Sequence, residues 1–150
     1  MITANLIIPV LQATSKKQAL RLIAEEVTEK LGGDATMLLT ALLDRERIGT
    51  TGIGGGVAIP HVKVDSVREP FGVLARLSEP VDFDAIDEKP VDIIFMLLAP
   101  ADSKTTQHLK TLAHISRFLK DHKTCASLRC LEEQDKIRAM IEDWTRAQAA

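Results

Sequence analysis

The chain has 150 residues, 45% hydrophobic and 27% charged, which is enough for one apolar core under a solvated surface. Nineteen Lys and Arg against twenty-one Asp and Glu leave a formal net charge of −2, and there is no tyrosine, one tryptophan and four phenylalanines. This excludes a basic groove for nucleic acid and a set of aromatic platforms for unstacked bases, so no nucleic-acid partner is expected.

In chain order, Met1–Ile8 lacks the basic start and long apolar middle of a secretory leader. Ser15-Lys16-Lys17-Gln18 has capping-box spacing. Leu20, Ile23, Ala24, Val27 and Leu31 then recur at helical intervals until Gly32-Gly33, which predicts a first amphipathic helix. Asp34 caps a second, with Met37, Leu38, Ala41 and Leu42 on its buried face and Arg45-Glu46-Arg47 at its end. Gly49–Gly56 is a glycine-dense loop. After it come a short strand, Val57-Ala58-Ile59, and Pro60, which pushes Ile59 towards extended geometry and sets His61 just past the strand end.

Phe71–Leu77 and Val91–Leu98 are two further strands, the second so continuously apolar that it must be central and covered on both faces. A third helix opens at Asp102 or Ser103 and carries His108, Leu112, Ile115 and Leu119 on one stripe; Ile137, Met140, Ile141 and Trp144 mark a last one. Helices before, between and after strands imply an α/β layered domain, and without repeats or a linker residues 1–150 read as a single domain. The longest apolar run, Ile93–Ala99, is too short to span a bilayer, so no membrane insertion and a cytoplasmic location are expected. Cys125 and Cys130, five apart, match neither a redox pair nor a zinc knuckle and read as ordinary helix cysteines.

The chemistry concentrates in Arg45 to His61. A P-loop needs Gly-Lys-Ser/Thr, but no lysine lies between Arg47 and Lys63; a dinucleotide turn follows a strand and opens a helix, whereas here a helix comes first. The amides of such a loop can still form an anion-binding nest. A histidine that accepts a phosphoryl group must be accessible and neutral, with one ring nitrogen free and the other held by a hydrogen bond. His61 on its X-Pro-His turn meets the access requirement. Phosphoryl transfer spreads charge over three oxygens, so cations and donors must surround them. Arg45 is the clamp candidate, the Thr50 and Thr51 hydroxyls and the Gly52, Gly54 and Gly56 loop are phosphoryl-binding candidates, and Lys63 is a weaker second cation.

His108 sits near the start of its helix, where anions are favoured; on its residues alone, a partly buried structural histidine is the favoured reading. His114 and His122 read as solvent-side. A metal site would need His61, His108 and Asp82 or Asp84 to converge, and none has ligand-like local spacing, so neither metal nor cofactor is expected.

The signature Gly49-Thr50-Thr51-Gly52-Ile53-Gly54-x-Gly56-x-Ala58-Ile59-Pro60-His61 is followed by Pro80-x-x-Phe83-Asp84-Ala85-x-Asp87-x-x-Pro90-Val91-Asp92 and by Leu98-Ala99-Pro100. Together they resemble the type-2 IIA domains of the bacterial phosphoenolpyruvate-dependent phosphotransferase system, the mannitol/fructose class, and most of all its nitrogen-regulatory branch. The match runs from about Ser15 to Leu119. The resemblance implies a three-layer α/β sandwich with a mixed β-sheet flanked by helices. It implies that His61 is the phosphoryl acceptor through Nε2, that His108 in His108-Leu109-Lys110-Thr111-Leu112 is the second active-site histidine, and that Arg45 is the active-site arginine.

It also implies a phosphocarrier charged by an HPr-like donor with enzyme I upstream, regulating targets such as a transporter or a sensor kinase. The alternatives are a sugar-transport IIA that passes phosphoryl to a IIB domain, or a regulator that binds its partner mainly when unphosphorylated. Several sugar-type relatives carry a carboxylate where this chain has Gly55, which leaves open what holds His61 from that side.

Overall fold

The computed structural model describes residues 3–149; Met1 and Ile2, where the stretch read for a leader begins, lie outside them, as does Ala150. β1 (Leu6–Leu11) comes first. α1 (Lys16–Leu31) starts where Ser15 Oγ accepts from the Gln18 amide at 3.1 Å. α2 (Ala35–Ile48) starts on the Asp34 carboxylate, which accepts from the Thr36 and Met37 amides. α2 buries Leu38 and Leu42, whereas Met37, expected on that face, is 71% exposed.

The glycine-dense segment is a small hairpin of β2 (Gly52–Gly54) and β3 (Val57–Ala58), followed by β4 (His61–Val64), β5 (Phe71–Val81) and β6 (Val91–Pro100). α3 (Thr105–Lys120) begins later than the sequence suggested, because Ser103 turns back onto the Pro100 carbonyl through both its amide and its hydroxyl. α4 (His122–Arg129), capped by Asp121, follows, and α5 (Gln134–Ala149) closes the fold. Cys125 lies buried in α4 with its thiol donating to Leu119 O, and Cys130 is the exposed residue that ends that helix.

The sheet is mixed, in the order β1-β5-β6-β3-β2, with β4 also on β6. β5 runs antiparallel to β6, while β1 lies parallel to β5 and β3 and β4 lie parallel to β6. β3 and β4 continue one edge in one register, Val57 opposite Ile93 and His61 opposite Leu97, interrupted only at Ile59-Pro60. Proline has no amide to donate, and the Ile59 amide turns instead to Thr51 O at 2.9 Å.

Side chains alternate across β6: Ile94, Met96 and Leu98 pack in the cluster that holds α1 and α2, and Ile93, Phe95 and Leu97 in the cluster that holds α3, α4 and α5. The continuous apolar run thus reports a strand covered on both sides, and the architecture is a three-layer α/β sandwich. By the same alternation His61 shares the face of Val57 and Ile59, the one α3 covers. Among the described residues no helix is long and apolar enough to cross a membrane.

Candidate functional site

β4 begins at the point where both helix layers reach the edge of the sheet, and His61 is its first residue. Its Nδ1 lies 2.9 Å from Ile59 O, and its Nε2 lies 3.4 Å from Arg45 Nε. A carbonyl only accepts and a guanidinium only donates, so both partners select one tautomer: Nδ1 carries the proton and Nε2 presents its lone pair. Burial, more than any other cause, holds the His61 pKa below the usual 6.5, with Arg45 acting in the same direction against the Ile59 hydrogen bond and Glu46. The ring is therefore neutral at pH 7. The anchoring carbonyl also answers the question left by Gly55: a Cβ there would meet nothing within 4 Å, and the backbone holds the ring instead.

Arg45, in the last turn of α2, also donates through Nη1 to Gly49 O at 2.9 Å, so its planar fork bridges the helix end and the imidazole. His108, in the first turns of α3, is half-buried with its ring centroid 5.5 Å from that of His61. Its pKa is also lowered, first by burial and then by the neighbouring His61 and Lys63. Lys63 itself donates to Ser103 O at the approach to α3. An open depression of about 200 Å³ lies here, lined by Arg45, Thr50, Thr51, His61, the apolar Ile53, Ile59 and Leu112, and Ser116. The exposed apolar side chains Ile48 and Leu109 follow Arg45 and His108 closely in sequence.

The remaining loop candidates have other occupations. Thr50 Oγ1 donates to Phe83 O at 2.8 Å, and Thr51 Oγ1 donates to Glu46 Oε2 at 2.6 Å. Both threonines line the depression with their hydroxyl protons already committed. The amides of Thr51, Gly52 and Gly55 are likewise taken, by Glu46, Thr50 Oγ1 and Asp87.

The glycines serve close packing. A Cβ on Gly52 would stand 2.8 Å from Ala85 Cβ, one on Gly54 3.3 Å from Asp87 Oδ2, and one on Gly56 2.5 Å from Arg129 Nη2. Arg129 grips Asp92 through two hydrogen bonds and reaches Gly55 O, clamping the hairpin tip to α4.

Two residues that sequence reasoning passed over are central here. Glu46, only 5% exposed at its side chain, accepts from both the Thr51 amide and hydroxyl and pairs with Lys16 Nζ at 2.8 Å. Arg129 acts from the last residue of α4. Neither leaves a local signal, because their partners are remote in sequence or on another element. His114, expected at the solvent side, is half-buried edge-on to Trp144 at 5.6 Å, whereas His122 is exposed. Asp82 accepts from the Asp84 amide and Asp84 approaches Lys16. Among the described residues no three His, Cys, Asp or Glu side chains are gathered to hold a metal ion.

The family described as "Phosphoenolpyruvate-dependent sugar phosphotransferase system, EIIA 2" matches residues 1–144. A nitrogen regulatory protein of Bradyrhizobium diazoefficiens is 40% identical over 141 residues, covering 94% of this chain and 92% of that one. A nitrogen regulatory protein of Escherichia coli is 42% identical over 131 residues, covering 86% of this chain and 79% of its own. Among solved structures, nitrogen regulatory protein IIA-Ntr from Neisseria meningitidis superposes with a TM-score of 0.83 at 32% identity, covering 89% of this chain and 91% of that one. On this likeness the chain belongs to the type-2 EIIA family of the phosphoenolpyruvate-dependent sugar phosphotransferase system.

Proposed function

We propose that the chain is a phosphocarrier of the nitrogen-regulatory branch, whose His61 Nε2 accepts a phosphoryl group from the phosphohistidine of an HPr-like protein, itself charged by enzyme I from phosphoenolpyruvate. The observation that carries this reading is the tautomer: Nδ1–H donates to Ile59 O, which leaves the Nε2 lone pair to Arg45, and both residues line the depression.

In transfer, the Nε2 lone pair attacks phosphorus, and the P–N bond of the donor breaks as the new one forms. The bonding pair stays on the donor nitrogen, which leaves as neutral imidazole, and no proton has to change hands. The proton stays on Nδ1, donated to Ile59 O, which stabilises the positive charge the ring acquires. Charge in the loose transition state spreads over the phosphoryl oxygens, towards which Arg45 turns its fork as it gives up the ring nitrogen. His108, its ring centroid 5.5 Å from that of His61, supplies a second donor. Thr50 and Thr51 shape the wall.

A phosphoryl group on His61 adds negative charge to the open face of the site, so a transporter or sensor kinase docking there would distinguish the two states. The test is intact mass after incubation with phosphoenolpyruvate, enzyme I and an HPr-type carrier, for wild type and His61→Ala, before and after acid. One acid-labile adduct on wild type and none on the variant is the expected result. An adduct on His61→Ala would overturn the site, and efficient onward transfer to a IIB domain would move the chain to the sugar-transport branch.

A further inference from the structure

We infer that Glu46, charge-balanced by Lys16, is a positioning residue that sets the tautomer of His61 through a hydrogen-bonded relay along Thr51 and Ile59. Each link of the relay is a short contact. Glu46 Oε1 accepts from the Thr51 amide at 3.0 Å and Glu46 Oε2 from the Thr51 hydroxyl at 2.6 Å. Thr51 O then accepts from the Ile59 amide at 2.9 Å, and Ile59 O accepts from His61 Nδ1–H at 2.9 Å.

The relay joins the end of one helix to the two sides of a hairpin. Glu46 lies in the last turn of α2, Thr51 opens the hairpin, and Ile59 stands at the break between β3 and β4. Pro60 cannot donate to β6, although its carbonyl still accepts from the Leu97 amide at 2.9 Å, and the Ile59 carbonyl beside it turns to the His61 ring. The Ile59 amide is held there by Thr51. Thr51, whose orientation Glu46 fixes with two bonds, thus aims the carbonyl that holds the ring.

A buried carboxylate needs both a counter-charge and satisfied lone pairs to remain charged. Lys16 Nζ provides the first at 2.8 Å, with its own position braced by Phe83 O at 3.4 Å and by the Phe83 ring at 4.8 Å. Thr51 provides the second. An uncharged residue of the same shape would leave one Thr51 donor facing an NH₂ group, and the local turn would relax. A free histidine side chain favours the Nε2–H tautomer, in which the nitrogen proposed to attack is blocked, so holding Nδ1–H has a chemical purpose.

The consequence for transfer rests on His61 being the phosphoryl acceptor, but the tautomer is a property of the free chain. It is read from the ¹⁵N shifts of the His61 ring in protein without donor, so it can fail independently of the carrier reading. The variants are Glu46→Gln, Thr51→Val, which deletes the hydroxyl at nearly constant shape, and Thr51→Ser, which restores it. Both Glu46→Gln and Thr51→Val should move His61 towards Nε2–H, and Thr51→Ser should stay like wild type. By analogy with other groups that orient a histidine from behind, phosphoryl uptake should slow roughly tenfold to a hundredfold in the first two.

Folded Glu46→Gln and Thr51→Val proteins with an unchanged Nδ1–H tautomer would overturn the inference, whatever their uptake rates. If Glu46→Gln does not fold, Thr51→Val against Thr51→Ser decides alone. A shifted tautomer with unchanged uptake would keep the relay and remove the role of Nε2 as the accepting atom.

Discussion

Alanine at three glycines of one loop should give three different results, because the structure assigns each a different reason for being glycine. At Gly52 the reason is space: an added Cβ would stand 2.8 Å from Ala85 Cβ and 2.9 Å from Ala85 Cα, one of them backbone. The Ile86 amide donates to Gly52 O at 3.2 Å and ties the two segments together, so neither can simply swing away. Reaching an ordinary carbon–carbon contact of about 3.5 Å requires roughly 0.7 Å of separation. Overpacking of this kind costs about 1–3 kcal/mol. In a chain of this size that corresponds to a fall in Tm of about 2–12 °C.

At Gly55 the reason is conformation, since nothing lies within 4 Å but φ is +66°, and alanine there costs about 1–2 kcal/mol. Gly49 has extended backbone and open space, so alanine should be neutral or stabilising by about 0.4–1 kcal/mol through the unfolded chain. Urea melts of the three variants should rank Gly49→Ala above Gly55→Ala above Gly52→Ala. Phosphoryl uptake per folded molecule should stay near wild type for Gly49→Ala and Gly55→Ala. A Gly52→Ala protein as stable as Gly49→Ala would refute the packing argument, and a selective loss of uptake in a fully stable Gly55→Ala would restore the glycine loop as a phosphoryl cradle.

Because burial lowers the pKa of both His61 and His108 below 6.5, the unfolded chain binds more protons than the folded one just below that pH; their contribution is present above 6.5 and lost as pH falls through the folded values. Urea melts from pH 8 to 5 should show a steeper acid loss in wild type than in His61→Gln/His108→Gln, and parallel curves would contradict this. Arg45→Lys keeps the charge but cannot bridge Gly49 O and His61 Nε2 together, so uptake should fall roughly tenfold with little change in Tm. An unchanged uptake rate in Arg45→Lys would show that only charge matters there. Arg129→Met removes the clamp on Asp92 and Gly55 O, which are partly exposed contacts, and should cost about 1–2 kcal/mol in denaturant melts with faster hydrogen exchange at the Gly55 amide; protection as in wild type would mean that Asp87 holds the tip alone.

How far the sequence could be read depended on how local each signal was. Ser15 and Asp34 mark helix starts because a cap is a bond between a side chain and an amide two or three residues on. Val91–Leu98 reads as central because burial on both faces leaves no room for alternation. β1 escaped notice because Pro9 interrupts it, which only an edge strand tolerates, and edge position is a property of the sheet. β4 is four residues long, and α4 is eight residues with a mostly polar sequence, so both take their form mainly from what they pack against.

The same division runs through the site. By itself the sequence determined the helix caps, the two long strands, the glycine hairpin's place between helix and histidine, and, through its signature, which histidines and which arginine to look for. These depend on backbone chemistry within a few residues and on side-chain periodicity. Only the tertiary structure decided that Nδ1 rather than Nε2 carries the His61 proton, that the Thr50 and Thr51 hydroxyls are already committed, and that Glu46, Lys16 and Arg129 hold the hairpin. A tautomer or a buried ion pair is set by the directions and distances of groups far apart in the chain, and a linear order of residues contains no such geometry.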